Sequence, residues 1–271
     1  MPLFEKLRVS LDRAFDGPLI EGVQRDEHLS RTDYLRRAFS EKRDFVKSKR
    51  IYTFIPIEAP EGYVAGFFTR GRPVPLRRAD LSPYTAENYE ASLFLLSLDK
   101  AQIIWMEDRQ TVGSPKGVIE AFFRHLMRKT DLKDWIAFVR YFEKKETFWN
   151  AVRNNKYRIS KVVFRFVPPN AFEGVEAAQQ FITGIQKEVD NDVFEQVLKG
   201  RPGKMKLDGS IFRATAEIAE QGAGERELRG PKNELIYSSR EGRVIAKVEE
   251  GDMPTADSPA FVSRIINRLF E

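Results

Sequence analysis

Residues 91–108, ASLFLLSLDKAQIIWMED, set two unbroken apolar runs on either side of Asp99-Lys100. An alternating strand can leave one face in water, but a continuous apolar run needs cover on both, so this segment reads as a β-hairpin buried from two sides. Just downstream, Gly113-Ser114-Pro115 combines an N-cap residue with a proline at the first helical position, which opens a helix running to about Lys129. Val118, Ile119, Phe122, Phe123, Leu126 and Met127 recur at helical spacing and direct its apolar stripe onto the hairpin.

Helical and strand-like patterns alternate around this centre. Leu3, Leu7, Leu11 and Phe15 lie four apart and predict an amphipathic helix ended by Gly17-Pro18. A second helix is expected over residues 32–49, with Tyr34, Leu35, Ala38, Phe39, Phe45 and Val46 set among basic residues. The runs IYTFIPI and YVAGFFTR read as strands, and RGRPVPLRR, residues 70–78, as a proline-interrupted loop. Further on, strands are expected at 135–142 and 159–167, around a helix at 147–154. Val175, Ala178, Phe181, Ile182, Ile185 and Val189 predict another helix, and Phe194 to Leu198 a short one. The tail reads as a strand at 211–218, a hairpin from LIYSS through Arg240-Glu241-Gly242 to VIAKV, and a helix opened by Ser258-Pro259. The expected class is α/β in the α+β sense: mixed, mostly antiparallel sheets with helices on one face. Two small domains are expected, 1–129 with the basic helix and loop, and 130–271 ending in a hairpin and helix.

The 271 residues are 42% hydrophobic and 31% charged, with 21 Phe, a globular composition that excludes wholesale disorder. The absence of cysteine excludes disulfides, zinc-thiolate and iron–sulfur sites, and a thiol nucleophile. MPLFEKLRVSLDRAF carries charges every few residues, unlike a signal peptide, and runs such as 93–96 and 103–106 are too short to cross a bilayer. A cytoplasmic protein without membrane insertion is expected.

The formal charge of +5 is modest, but its distribution is uneven. Residues 31–50 concentrate Arg31, Arg36, Arg37, Lys42, Arg43, Lys47, Lys49 and Arg50 against Asp33, Glu41 and Asp44. Arg70, Arg72, Arg77 and Arg78 follow, then Lys199, Arg201, Lys204 and Lys206 with no intervening acid, whereas 217–252 is net acidic. One such run is usually solvated surface; several of one sign, with acids elsewhere, describe a polyanion-binding face. All of these cations except Arg31 are candidate phosphate contacts.

Motifs for catalysis are sparse. His28 and His125 are too few for a histidine metal site, and no G-x-S-x-G elbow accompanies them. Gly200-Arg201-Pro202-Gly203-Lys204 lacks the spacing of a phosphate-binding loop, and Gly222-Ala223-Gly224 opens no helix, so no cofactor is expected. One arrangement has catalytic form: Asp131 or Asp134 precedes a strand ending in Glu143-Lys144-Lys145, as in restriction-type nucleases that bind a divalent metal between two carboxylates. The competing reading makes Glu143 and Lys145 exposed charges at a strand end, where alanine would change little. Tyr141, Phe142, Phe148, Trp149 and Tyr157 interleave with Lys144, Lys145, Arg153, Lys156, Arg158 and Lys161, a composition suited to single strands. The spacing of Phe148, Trp149 and Val152 is better explained as the buried face of a helix.

The hairpin and capped helix, ASLFLLSLDKAQIIWMEDRQTVGSPKGVIEAFFRHLM, followed by the strand ISKVVFRFVPPN, have a familiar order and spacing. As an architecture over residues 50–270 they resemble the RexA-type phage-exclusion proteins of lambdoid prophages and the KwaB-type proteins of Kiwa defence systems. The resemblance implies a two-domain, DNA-binding, often dimeric protein that senses or answers phage infection. It transfers no site residue, because no functional motif aligns residue by residue. The expectation is therefore a sequence-nonspecific duplex-DNA-binding protein of anti-phage defence, acting as a homodimer or with a defence-system partner. The alternatives are the metal-dependent nuclease and a protein-interaction component that binds no nucleic acid.

Overall fold

The structure, a computed structural model, describes residues 1–13, 29–99, 101–130, 132–133, 135–166, 194–220, 224–249 and 261–270. In chain order its first elements are β1 (Leu3–Arg13), α1 (Arg31–Ala38), β2 (Arg43–Lys47), β3 (Arg50–Ile57), β4 (Tyr63–Arg77), β5 (Pro83–Ser97) and β6 (Ile103–Glu107). Next come α2 (Pro115–Lys129), β7 (Trp135–Tyr141), α3 (Lys145–Asn155), β8 (Lys161–Phe166) and β9 (Phe194–Lys199). The chain continues through α4 (Ser210–Ile218), β10 (Gly224–Arg229), β11 (Leu235–Ser238), β12 (Ile245–Lys247) and α5 (Val262–Phe270). This is the α+β class with antiparallel sheets.

The larger sheet has eight strands in the order β12-β1-β6-β5-β4-β3-β2, with β7 also paired to β1. β1 replaces the helix expected over residues 3–15. Its leucines are four apart, but Leu7, Val9 and Leu11 also alternate, and that period wins because β1 lies inside the sheet. One edge pairs with β6 at Leu7↔Ile104, and the other with β12 at Leu3↔Lys247 and then β7 at Leu11↔Ala137. The helix expected over 32–49 ends at Ala38. Phe45 turns inward on β2, and Ser48 and Lys49, at φ 50 and 65, make the two-residue turn into β3.

The buried hairpin forms as expected, with Phe94↔Met106, Leu95↔Trp105 and Leu96↔Ile104 in register. Phe94, Leu96, Ile104 and Met106 join the core under α1 and α2, while Leu93, Leu95 and Trp105 join a second core under α5. Helices therefore cover both faces of the large sheet. In the first core Phe39 lies between Phe94 and Phe122, with ring centroids 4.7 and 4.9 Å away. Stacked pairs of this kind add about 0.5–1.5 kcal/mol each beyond area burial.

The smaller sheet runs β11-β10-β8-β9 and is packed on one face by α3 and α4 through Phe148, Val152, Phe212 and Ala216. Three sequence expectations are corrected here. Phe194 to Leu198 is strand β9, paired with β8 from Phe166↔Phe194 to Lys161↔Lys199. Residues 211–218 are helix α4, whose Phe212, Ala216 and Ala219 recur at helical spacing on the buried side. LIYSS and VIAKV do not form a hairpin: β11 pairs with β10, whereas β12 crosses to β1. The helix expected over 175–189 and the Ser258-Pro259 helix start lie outside the described residues. The chain leaves the large sheet after β7, builds the small sheet, and returns for β12 and α5, so elements on both sides of residue 129 complete the large sheet. Among the described residues no helix is long and apolar enough to cross a membrane.

Candidate nucleic-acid interface

Of residues 70–78, expected as a loop, 70–77 are strand, the end of β4. β4 and β5 pair without interruption from Tyr63↔Ser97 to Arg77↔Pro83. The neighbouring strands stop earlier, β3 at Arg70 and β6 at Phe94, so residues 71–90 project as a two-stranded ribbon. At a strand rise near 3.3 Å its reach is roughly 20 Å. The prolines are compatible with the ladder because of their register. Arg78 donates its N–H to Ser82 O at 3.0 Å, so even-numbered N–H groups of β4 point at β5 and odd-numbered ones point away. Pro73 and Pro75 fall on the outward positions, where no ladder bond is lost, and they block the free edge to further strands.

The two faces of the ribbon differ. Arg70, Arg72, Val74 and Leu76 share one face with Tyr84, Asn88 and Glu90, the last paired with Arg109 at 3.7 Å, and Arg78 continues it at the tip with its guanidinium 5.5 Å from the Tyr84 ring. The opposite face carries Pro73, Pro75, Glu87 and Tyr89, with the Tyr89 hydroxyl donating to Glu87 at 2.7 Å. The tip closes through Asp80, whose carboxylate accepts from the Ser82 N–H and hydroxyl.

At the base of the ribbon the Arg70 face gathers cations from three strands. Lys47↔Arg50 and Tyr52↔Arg70 are in register, which puts Lys47, Arg50, Arg70 and Arg72 on one side of the sheet, beside the start of α2. Arg70 Nη1 donates to Thr111 O at 2.8 Å, fixing its direction, while its Nε has no hydrogen-bond partner among the described residues. The Lys47 ammonium lies over the Tyr52 ring at 5.8 Å and against Gly113 and Gly117, where added Cβ atoms would come within 3.2 Å of it. Burial, and then the Arg70 charge, push the Lys47 pKa below the ordinary lysine value, with Glu120 partly offsetting them. Among the described residues no carboxylate forms an ion pair with Lys47, Arg50, Arg70 or Arg72.

The other candidate cations lie elsewhere. Arg36 pairs with Asp33 at 3.6 Å on α1, and Arg37 is the next residue of that helix. Arg43 is mostly buried: its Nε donates to Ala38 O at 3.1 Å and its guanidinium pairs with Glu41 at 2.5 Å, so it closes the end of α1. Lys42 and Lys49 are exposed on either side of β2. Lys199, Arg201, Lys204 and Lys206 are exposed at the end of β9 and in the turn after it, on the small sheet.

The reading of Glu143 as an exposed strand end is corrected. Its carboxylate is wholly buried and accepts from Arg226 Nη2 at 2.8 Å, Arg226 Nε at 3.1 Å, the Tyr237 hydroxyl at 2.6 Å and the Ser239 hydroxyl. Arg226, equally buried, also donates to Ala216 O at 3.0 Å and stacks over Phe148 at 4.1 Å. Burial and the Glu143 charge raise the Tyr237 pKa, which keeps the phenol as a donor. Lys145 points the other way, 60% exposed and 3.9 Å from Glu217. Glu143 and Lys145 thus do not share an open site, and Asp131 and Asp134 lie outside the described residues. Phe148 is buried with Val152, as its helical spacing implied, while Tyr157 is exposed.

A protein defined by this geometry is an α+β protein with a stiffened β-ribbon arm and a basic base. Comparison with family models, with curated proteins and with solved structures finds no match.

Proposed function

We propose that the protein binds duplex DNA without sequence specificity, seating phosphates on Lys47, Arg50, Arg70 and Arg72 while the ribbon follows a groove. The observation that carries this reading is the convergence of four cations, drawn from three strands, with no carboxylate pairing any of them among the described residues. Clustered cations that form no ion pair among the described residues are what a phosphate backbone rewards, because each contact releases condensed counterions. A major groove about 12 Å wide admits a two-stranded ribbon, and the prolines of β4 reduce the ordering cost of inserting this one. On the resemblance to RexA-type and KwaB-type proteins, this role belongs to anti-phage defence, in a homodimer or with a partner protein.

Arg77 and Arg78 test the arm. Both are exposed at its tip, so changing them together to glutamate should weaken binding of a generic duplex strongly at low salt while leaving the thermal midpoint nearly unchanged. Fluorescence anisotropy across a salt series reads the first effect and calorimetry the second. A variant that keeps its affinity would remove the arm from the interface, and a flat salt response of the parent protein would remove the electrostatic reading altogether.

Lys47 gives a pH test. Phosphate binding favours its charged form, so affinity is complete below its depressed pKa and falls as pH rises through that value. Lys47→Arg should abolish the fall, since arginine stays charged throughout. An equal decline in both proteins would place the titrating group elsewhere.

A further inference from the structure

A second group of cations lies on the small sheet. The ends of β9, β8 and β10 are in register at Lys161↔Lys199 and Arg229↔Lys161, which sets three cations in one cross-strand row. The row is on the face turned away from α3 and α4, since the neighbouring Val162, Leu198 and Leu228 point into their core. Like charges directly opposite one another on adjacent strands are destabilising. Arg229 is neutralised by Glu227 at 2.7 Å, and Glu227 is shared with Arg165 at 2.6 Å. Glu234, on the turn after β10, accepts from the Lys232 N–H at 2.9 Å and lies 3.9 Å from Arg158. Among the described residues no carboxylate forms an ion pair with Lys161, Lys199 or Arg201.

These three side chains line an open cavity of about 610 Å³, together with Gly200, Gly230 and Asn233. Its frame is fixed by backbone bonds, the Ser160 N–H donating to Arg229 O at 3.0 Å and the Gly200 N–H to Ser160 O at 2.9 Å. The volume falls within the roughly 300–1,000 Å³ of small-molecule sites. Adjacent strands are about 4.8 Å apart, so the row offers its cations to an anion whose charges are packed within one small molecule. Three cations this close, none in an ion pair among the described residues, match the charge spacing of such a ligand.

We infer that this cavity binds a small polyphosphate, the class that includes inorganic tripolyphosphate and nucleoside triphosphates, through Lys161, Lys199 and Arg201. The site is independent of the arm and reassigns Lys199 and Arg201, read from sequence as DNA contacts, to a different phosphate source.

The test is calorimetric titration of the full chain with inorganic tripolyphosphate. Saturable binding is expected. The double variant Lys161→Ala, Lys199→Ala should weaken it at least about tenfold, the scale of lost charge-assisted hydrogen bonds, with duplex affinity unchanged. Without ligand the variant's thermal midpoint should equal or exceed that of the parent, because a repulsive pair has gone, and tripolyphosphate should no longer raise it. Should that variant misfold, Arg201→Ala, on an exposed turn outside the strands, gives the same readout. The inference fails if millimolar tripolyphosphate produces neither heat nor a midpoint rise, or if the variants bind it as the parent does. It fails equally if they lose duplex affinity but not tripolyphosphate, which would return the site to the nucleic-acid backbone.

Discussion

Glu143→Ala is expected to destabilise the protein by about 3–5 kcal/mol, the cost of leaving a buried charge without its partner. The carboxylate accepts from Arg226, Tyr237 and Ser239 at once, so its removal strands a guanidinium that is wholly excluded from water and leaves the phenol without its acceptor. Much of a small domain's stability is at stake, given totals of about 5–15 kcal/mol. Trp149, packed against Phe212, provides a fluorescence signal for urea unfolding of the small sheet. Replacing both partners by apolar residues, Glu143→Leu with Arg226→Met, should recover most of the loss, since no unpaired charge remains buried. An alanine variant that unfolds at the parent's urea midpoint would refute a stabilising role for the network.

Arg50→Glu with Arg72→Glu should reduce duplex affinity by about two orders of magnitude at low salt and flatten the log–log salt slope by about 1.8, two contacts at 0.9 each. Both residues are exposed, and neither forms an ion pair among the described residues, so the substitution should shift stability by no more than about 0.5 kcal/mol. The slope matters more than the affinity. Loss of affinity at an unchanged slope would mean that these arginines act on something other than phosphates, and unchanged affinity would remove the proposed face.

The parts of the fold legible in the sequence are those whose signal is local. The hairpin at 91–108 is continuous apolar sequence between turn residues, and α2 announces itself through Ser114-Pro115 and six apolar residues at helical spacing. β1 is ambiguous because Leu3, Leu7 and Leu11 fit a helix while Leu7, Val9 and Leu11 fit a strand; only its three partner strands decide. The arm was illegible for a different reason. Prolines argue against a strand unless their N–H positions face outward, and that depends on the register with β5 and on the early end of β3. Charge clustering located Arg70 and Arg72 but could not see that Arg43 is turned into the end of α1, or that Lys47 joins them from another strand. The burial of Glu143 is not legible in the sequence because its partners are 83, 94 and 96 residues downstream, beyond the reach of any spacing argument.

The position of β1 also governs when this protein can be finished. β1 pairs Phe4 with Glu107 on one edge and with Ala246 on the other, and Phe4 packs in the core closed by Val262 and Ile265. Everything from Phe4 to Ile265 must therefore be synthesised before that core can close, and contacts of such long range make folding slow. Until then Leu93, Leu95 and Trp105 present an uncovered apolar face, which is the kind of surface that draws nascent chains into aggregation or into the hands of chaperones.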